Sequence, residues 1–510
     1  MKQIFAFLAI ISLLFLGSCR KDFETVQNNS RLGFSKDTVY LDTVFTNIGS
    51  STYNLKVYNN SSEDIFIPSI RLGRGENSNY RINVDGIPGK SFENIEILAK
   101  DSIFVFIETT IDYNAVTDPI YTDSLIFDSQ AFQQDVKLVT LVQDAHFLYP
   151  SKNAEGMIET IPIGTDADGE EISIQGFYLD QNATWNDEKP YVVYGYAAVP
   201  EGGNLTVEEG AKIHFHANSG LMVSNQASVH MNGTLENQIM IEGDRLEPAL
   251  SDVAGQWGAI WLREGSQDNQ INHTVIKNAT IGLLIDSNGN GVDPNLTIKN
   301  TQIYNNTNYG ILAREANILG ENLVINNSGN ASLAATIGGT YNFKQCTFAN
   351  YWRSGLRQFP AVLVNNYYTV VENGIETKIA KDLYEANFTN CIISGSSNIE
   401  LIVDRVEETL FGYNFKNNLI QFNDVGGNYA EIPEYNFSDL EHYQDNIFNE
   451  KPMFKDPYEN ELVIGQDSPV VDKADQQTAQ QVPFDILGVD RTANPDIGAY
   501  QHQLLDDSEE

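Results

Sequence analysis

Cysteine is nearly absent: only Cys19, Cys346 and Cys391 occur in 510 residues. So few thiols exclude a disulfide framework, and large apolar cores must hold the fold. Positive charge is also scarce, with 31 Lys and Arg against 69 Asp and Glu and a net charge of -38. That imbalance excludes nucleic acid and anionic headgroups as partners of the folded body. Divalent cations suit such a surface better, though its plainest meaning is a solvated, aggregation-resistant exterior. Long hydrophobic runs are missing except at residues 4–16, too short to span a bilayer comfortably. Sustained 3.6-residue periodicity is missing too, which excludes a helical solenoid. At 510 residues the chain exceeds one ordinary core, so at least two folded units are expected.

What is present begins at the N-terminus. Lys2 precedes the apolar run, which ends in Leu16-Gly17-Ser18-Cys19. This resembles the lipobox of bacterial lipoproteins, in which small residues precede a cysteine that is acylated before cleavage. The resemblance implies a signal peptide over 1–18, lipidation of Cys19 and a tether over 19–31. Arg20-Lys21-Asp22-Phe23-Glu24 resembles the short charged tag of many Bacteroidetes lipoproteins destined for the outer face of the outer membrane. A lipid-anchored, exterior-facing protein is the expectation.

Residues 32–144 alternate in short runs at 38–45, 52–59, 65–72, 102–110 and 136–142, separated by Asn-, Gly- and Ser-rich turns. Strands at this spacing predict an immunoglobulin-like β-sandwich. Residues 145–189 shift to Asp, Gly, Asn and Glu with little periodicity and are expected to be a connector. Within it Asp166, Asp168 and Glu170 offer hard oxygen ligands for calcium, although their spacing completes no EF-hand loop.

Beyond the connector a repeat emerges. An amide is followed three positions later by an apolar residue at Asn272/Val275, Asn300/Ile303, Asn322/Ile325, Gln345/Phe348, Asn390/Ile393 and Asn417/Ile420. The amides are spaced by 28, 22, 23, 45 and 27 residues, four of which fit one coil of a parallel β-helix and the fourth two coils or one with an insertion. Successive coils pair edge to edge, so equivalent positions stack in ladders, apolar ones inside and amides at the bends. Cys346 and Cys391 each follow a repeat amide and should share an inward ladder as packed thiols rather than a disulfide.

The first coils carry Leu205-Thr206-Val207-Glu208-Glu209-Gly210, then Val229-His230-Met231-Asn232-Gly233-Thr234, then Ile239-Met240-Ile241-Glu242-Gly243. This succession of strands and Glu-Gly or Asn-Gly turns resembles right-handed parallel β-helix proteins of the pectin-lyase-like superfold. Asp467-Ser468-Pro469-Val470-Val471-Asp472 and Asp496-Ile497-Gly498-Ala499-Tyr500 resemble the closing segment of bacterial surface β-helix proteins, including those with a choice-of-anchor region. The fold class is then all-β, with a sandwich followed by a β-helix over 190–465, an insertion near 351–386, a closing segment over 466–502 and an acidic tail over 503–510. Residues 496–500 are expected to cap the open end.

The same resemblance implies that polysaccharide lyases of this fold use carboxylate-held calcium and a basic residue. The candidate pairs are Asp244 with Arg245, Asp404 with Arg405, and Arg263 with Glu264, each readable as a surface ion pair instead. Hydrolases need two carboxylates at one level, for which Asp382 with Glu385 or Asp286 with Asp293 stand available. Trp257 and Trp261 read as core. Trp352, Arg353, Arg357, Tyr367 and Tyr368 crowd the insertion, and rings beside polar groups on projecting loops suit sugar faces. No catalytic residue is assigned and calcium is the one cofactor in view. The sequence favours non-catalytic binding of a glycan or another envelope component. A calcium-assisted lyase or glycoside hydrolase, and adhesion or assembly through the sandwich, are the alternatives.

Overall fold

The computed structural model describes residues 24–129, 133–166, 168–287, 293–372, 374–407 and 409–505. Cys19, the signal peptide and most of the charged tag lie outside them, as does the acidic tail from 506. The chain divides into two compact units, Met1–Asp144 and Ala145–Glu510.

In the first unit a six-stranded and a five-stranded sheet share one core. The alternation read in the sequence produces it: Val39 and Leu41 face in from one sheet, Leu55, Val57, Val105 and Ile107 from the other. Two parallel pairings, Val26–Gln27 with Ile65–Leu72 and Gln133–Gln143 with Thr38–Phe45, interrupt an otherwise antiparallel arrangement.

The second unit is a parallel β-helix whose strands form three ladders. An eleven-stranded flank sheet runs from His146–Leu148 to Ile447–Phe448. The other two ladders join through bends into one 18-stranded array. The flank sheet stacks Ile213, Ile241, Ile276, Ile303, Ile325, Phe348, Ile393, Ile420 and Phe448 in register. A second inward ladder runs Ala197, Leu221, Ile260, Leu283, Ile311, Leu333, Val362 and Leu401. The third ends in stacked rings, Phe343 on Phe388 at 5.3 Å, Phe388 on Phe415 at 5.0 Å and Phe415 on Tyr443 at 5.5 Å. Gly320 occupies this column one coil earlier, where an added Cβ would stand 2.4 Å from Phe343. The column's bulk therefore demands a glycine there.

The repeat amides mark a left-handed bend: Asn300, Asn322, Gln345, Asn390 and Asn417 all have φ between 48° and 57°. Asn tolerates that region because its short side chain bonds locally. The first member differs from expectation. His273, with φ 42°, holds the bend, so Ile276 rather than Val275 faces the core. The 45-residue gap is one coil with an insertion, since Thr347 pairs directly with Ile392. Cys346 and Cys391 lie buried and free in adjacent coils.

Three boundaries differ from the sequence reading. Residues 145–189 are no connector: Asn182–Trp185 pairs in parallel with Asn204–Glu208, and His146–Leu148 with Tyr191–Val193, so the solenoid starts here. Short coil strands with polar outer positions hid it. The last coil strands end at Phe448, so 450–465 belongs with the closing segment. That segment does not cap the end. It lies as a strap over the outer face of the flank sheet, with Ile464, Val470 and Ile497 on Ile392 and Leu419, and Ile486, Ala499 and Tyr500 on Tyr304 and Val324. The last strands are instead covered by the loop before Tyr443, whose Phe437 sits 4.9 Å from Tyr443 and 4.4 Å from Phe448.

Candidate functional site

The strap forms one side of a recess on the second unit, a groove of about 1230 Å³. One wall is the row of strand ends and turns carrying Ser394, Asn398, Gln421, Asn423 and Asn449; the other is the strap at 450–467 and 503–505. Ladder amides fix the strap's hairpin, Phe454–Asp456 with Glu461–Ile464. Asn326 Nδ2 donates to the Pro457 carbonyl at 2.7 Å and to Asn460 Oδ1 at 2.9 Å. Asn460 turns the chain at φ 61°, and the Asp456 side chain accepts from Tyr458 N at 3.0 Å.

This brings three rings together. Tyr351 meets Phe454 edge-on at 6.2 Å and Tyr458 at 5.5 Å. Burial pushes the Tyr351 phenol above its ordinary pKa, so it stays a neutral donor, 3.4 Å from Ser394 Oγ. Ser394 passes the chain on to Gln421 Oε1 at 2.9 Å, and the groove floor is thereby satisfied. The rim is different. The exposed side chains of Asn398, Asn423 and Gln503, with Glu450, Lys451 and Asp467, have no hydrogen-bond or ion-pair partner among the described residues. The recess exceeds the ~300–1,000 Å³ of single-ligand pockets, and free amides and aromatic rings both line it.

The five ligand residues expected in the insertion do not form one site. Arg353 alone reaches the groove wall: its guanidinium lies 5.1 Å from the Tyr458 ring and bonds the Tyr458 carbonyl and Glu459. Trp352 packs beside Gly329. Arg357 is a correction. Its side chain, 3% exposed, pairs with the fully buried Glu400 at 2.5 Å and bonds Ser397 Oγ at 2.8 Å, so it braces the insertion. Tyr367 and Tyr368 sit on a separate hairpin, Tyr367–Glu372 with Ile375–Ala380. The Tyr367 hydroxyl donates to Asp404 at 2.5 Å beneath Lys378, 4.0 Å from its ring.

Several of the candidate catalytic residues are bonded to other protein groups. Asp244 accepts from His216 Nδ1 at 2.7 Å, while Arg245 turns to Glu247. Asp286 is held by Trp261 Nε1 at 2.8 Å and Arg314 Nε at 2.7 Å. Arg405 pairs with Glu434 rather than Asp404. Asp286 follows the strand Ala279–Ile285 and Asp404 ends Leu401–Asp404, four coils on, about 19 Å by the inter-strand spacing. Arg263 clamps the Pro162 and Ile163 carbonyls. Asp382 accepts from Leu410 N, and Glu385 from Asn342 and Asn387. Trp257 is buried as expected, but Trp261 points outward under the Thr160–Thr165 hairpin. The calcium candidates fare no better: Asp166 Oδ1 accepts from Asp168 N and Glu170 N, closing its own turn. Among the described residues no three His, Cys, Asp or Glu side chains gather to hold a metal.

Residues 394–423 and 450–505 escaped the sequence reading as a site. Their signal was a Pro-Tyr turn and amides out of phase with the ladder, visible only once the strap's path is known.

Residues 194–348 match the family model described as a right handed beta helix region. No curated protein matches the chain significantly. Among solved structures, a family 123 glycoside hydrolase from Clostridium perfringens is similar at 13% identity, with 23% of this chain and 30% of that chain covered and a TM-score of 0.18. The catalytic unit of a GH87 alpha-1,3-glucanase from Streptomyces thermodiastaticus is similar at 10% identity, covering 73% of this chain and 61% of that one, TM-score 0.21. The chain thus spans less than two thirds of either. The second unit carries a right-handed parallel β-helix.

Proposed function

We propose that this protein is a lipoprotein anchored through Cys19 to the outer membrane, facing the exterior, whose β-helix binds a glycan of the envelope or surroundings without cleaving it. The observation that carries the binding is the groove, which uncommitted amides of Asn398, Asn423 and Gln503 line together with the Tyr351, Phe454 and Tyr458 rings. Amides donate and accept like the hydroxyls they would meet, and rings cover the apolar faces of sugars. The commitment of Asp244, Asp286, Asp382, Glu385 and Asp404 to protein donors supports binding over hydrolysis or a calcium-assisted lyase step. The first unit then serves as an immunoglobulin-like spacer between anchor and solenoid.

The test uses the chain from residue 20, which retains every described residue, in a polysaccharide panel followed for both binding and release of reducing or unsaturated ends. Binding without release, weakened by Tyr458→Ala, is expected; released ends would overturn the non-catalytic reading. A second reading, protein docking on the first unit, is favoured by Phe104 and Phe106, 44% and 41% exposed on one strand. Loss of a pulled-down envelope protein in a Phe104→Ser/Phe106→Ser variant would decide for it.

A further inference from the structure

The charge of the groove narrows its ligand. Four carboxylates line it, Glu450, Asp456, Glu461 and Asp467, against the ammonium groups of Lys451 and Lys455. Lys455 is committed to Glu461 at 3.0 Å. Arg353 of the insertion is committed to Glu459 of the strap at 2.8 Å, so that cation is neutralised as well. Lys451 is left as the one uncommitted cation among the described groove residues, beside uncommitted Glu450 and Asp467. The chain's net charge of -38 adds a negative background. Carboxylate and sulfate ligands are recognised by forked or clustered cations, and none are free here. Besides the three charges of Lys451, Glu450 and Asp467, of net negative sign, the uncommitted groups are neutral: the three amides, which match hydroxyl and N-acyl groups, and the Tyr458 ring, 46% exposed.

We infer that the groove selects neutral glycans and rejects polyuronates and sulfated polymers. This rests on the glycan-binding reading above and fixes the ligand class within it. Glu450 and Asp467 act as the rejecting elements, placing like charge where an acidic sugar would enter.

The experiment measures affinity of the chain from residue 20 for laminarin, xylan, galactan and mannan, in parallel with polygalacturonate, alginate and dextran sulfate, at low and moderate salt. Neutral polymers should bind at least about tenfold more tightly, and the gap should shrink as salt screens the repulsion. Glu450→Lys with Asp467→Lys should raise polyuronate affinity at least about tenfold and narrow the gap to the neutral polymers; unchanged polyuronate affinity in a variant whose circular dichroism melt matches the parent would overturn the charge-based selection. Preferential polyuronate binding lost in Tyr458→Ala would overturn the charge-based selection and leave the groove reading standing. Neutral binding indifferent to both Tyr458→Ala and Asn423→Ala would remove the groove itself, and silence across the panel would bring down both.

Discussion

At the scale of single residues, two positions show how the solenoid handles buried polar groups. Asn300 Nδ2 donates to Asn272 Oδ1 at 3.0 Å, and Asn322 Nδ2 to Asn300 Oδ1 at 2.9 Å, so each bend amide satisfies its neighbour. Gln345 breaks the row. Its extra methylene moves the amide off the ladder, and neither side-chain polar atom finds a protein partner. Gln345→Asn should therefore stabilise the second unit by about 1 kcal/mol, read as a raised midpoint in thermal or urea melts. Arg357 and Glu400 show the opposite case, a buried pair whose lone pairs are filled by Ser397 N at 2.7 Å and Ala361 N at 2.8 Å. Arg357→Ala strands the Glu400 carboxylate and should cost about 3–5 kcal/mol, whereas Arg357→Met with Glu400→Leu removes both charges and should cost far less. Similar losses in the two would show that packing, not charge, sets the cost.

At the scale of elements, the ladders decide both stability and legibility. Phe388 stacks between Phe343 and Phe415 and meets Phe348 edge-on at 5.9 Å, all four buried. Phe388→Ala leaves a void that two in-register neighbours cannot close, because their backbones are fixed by coil pairing. A loss of about 3–5 kcal/mol is expected, measured by denaturant unfolding. These columns were largely legible in the sequence, since a coil returns the same chemistry to the same phase. Ile303, Ile325, Phe348, Ile393 and Ile420 were read correctly from the preceding amide. The reading slipped at Val275 because the bend there is held by a histidine, and chemistry rather than phase had been followed. It missed Asn182–Trp185, whose four residues are too few to show a period. Arg357 misled for a related reason: next to aromatics in a loop it looks like a ligand contact, and nothing local announces Glu400, 43 residues on.

At the scale of the whole second unit, the strap changes how a solenoid should unfold. Coils that touch only their neighbours fray from the ends in steps. Here a single segment bonds many coils at once: Phe484 O accepts from Asn322, Thr347 Oγ1 from Ala499 N, and Asn390 O from Gly498 N, with Lys416 closing on Asp475 at 2.7 Å. The groove was illegible for the same reason, because its two walls meet only through this non-periodic path. Asp475 is the sensitive staple, capping the Gln476–Gln481 helix through Thr478 N while pairing with Lys416. Burial alone would raise its pKa, but the Lys416 ammonium and the two Thr478 donors outweigh it and hold the carboxyl below 3.8. A depressed folded pKa means the stabilisation is complete above the unfolded value and is lost as pH falls through the folded one. Hydrogen exchange should accordingly show the strands at 324–328, 347–350 and 392–395 opening together at pH 7. As the pH drops below about 3.8, protection should fail first at 414–420, where Lys416 loses its partner. Asp475→Asn should show that early opening already at pH 7 and no further acid step there; a variant that still opens cooperatively at neutral pH would place the staple elsewhere along the strap.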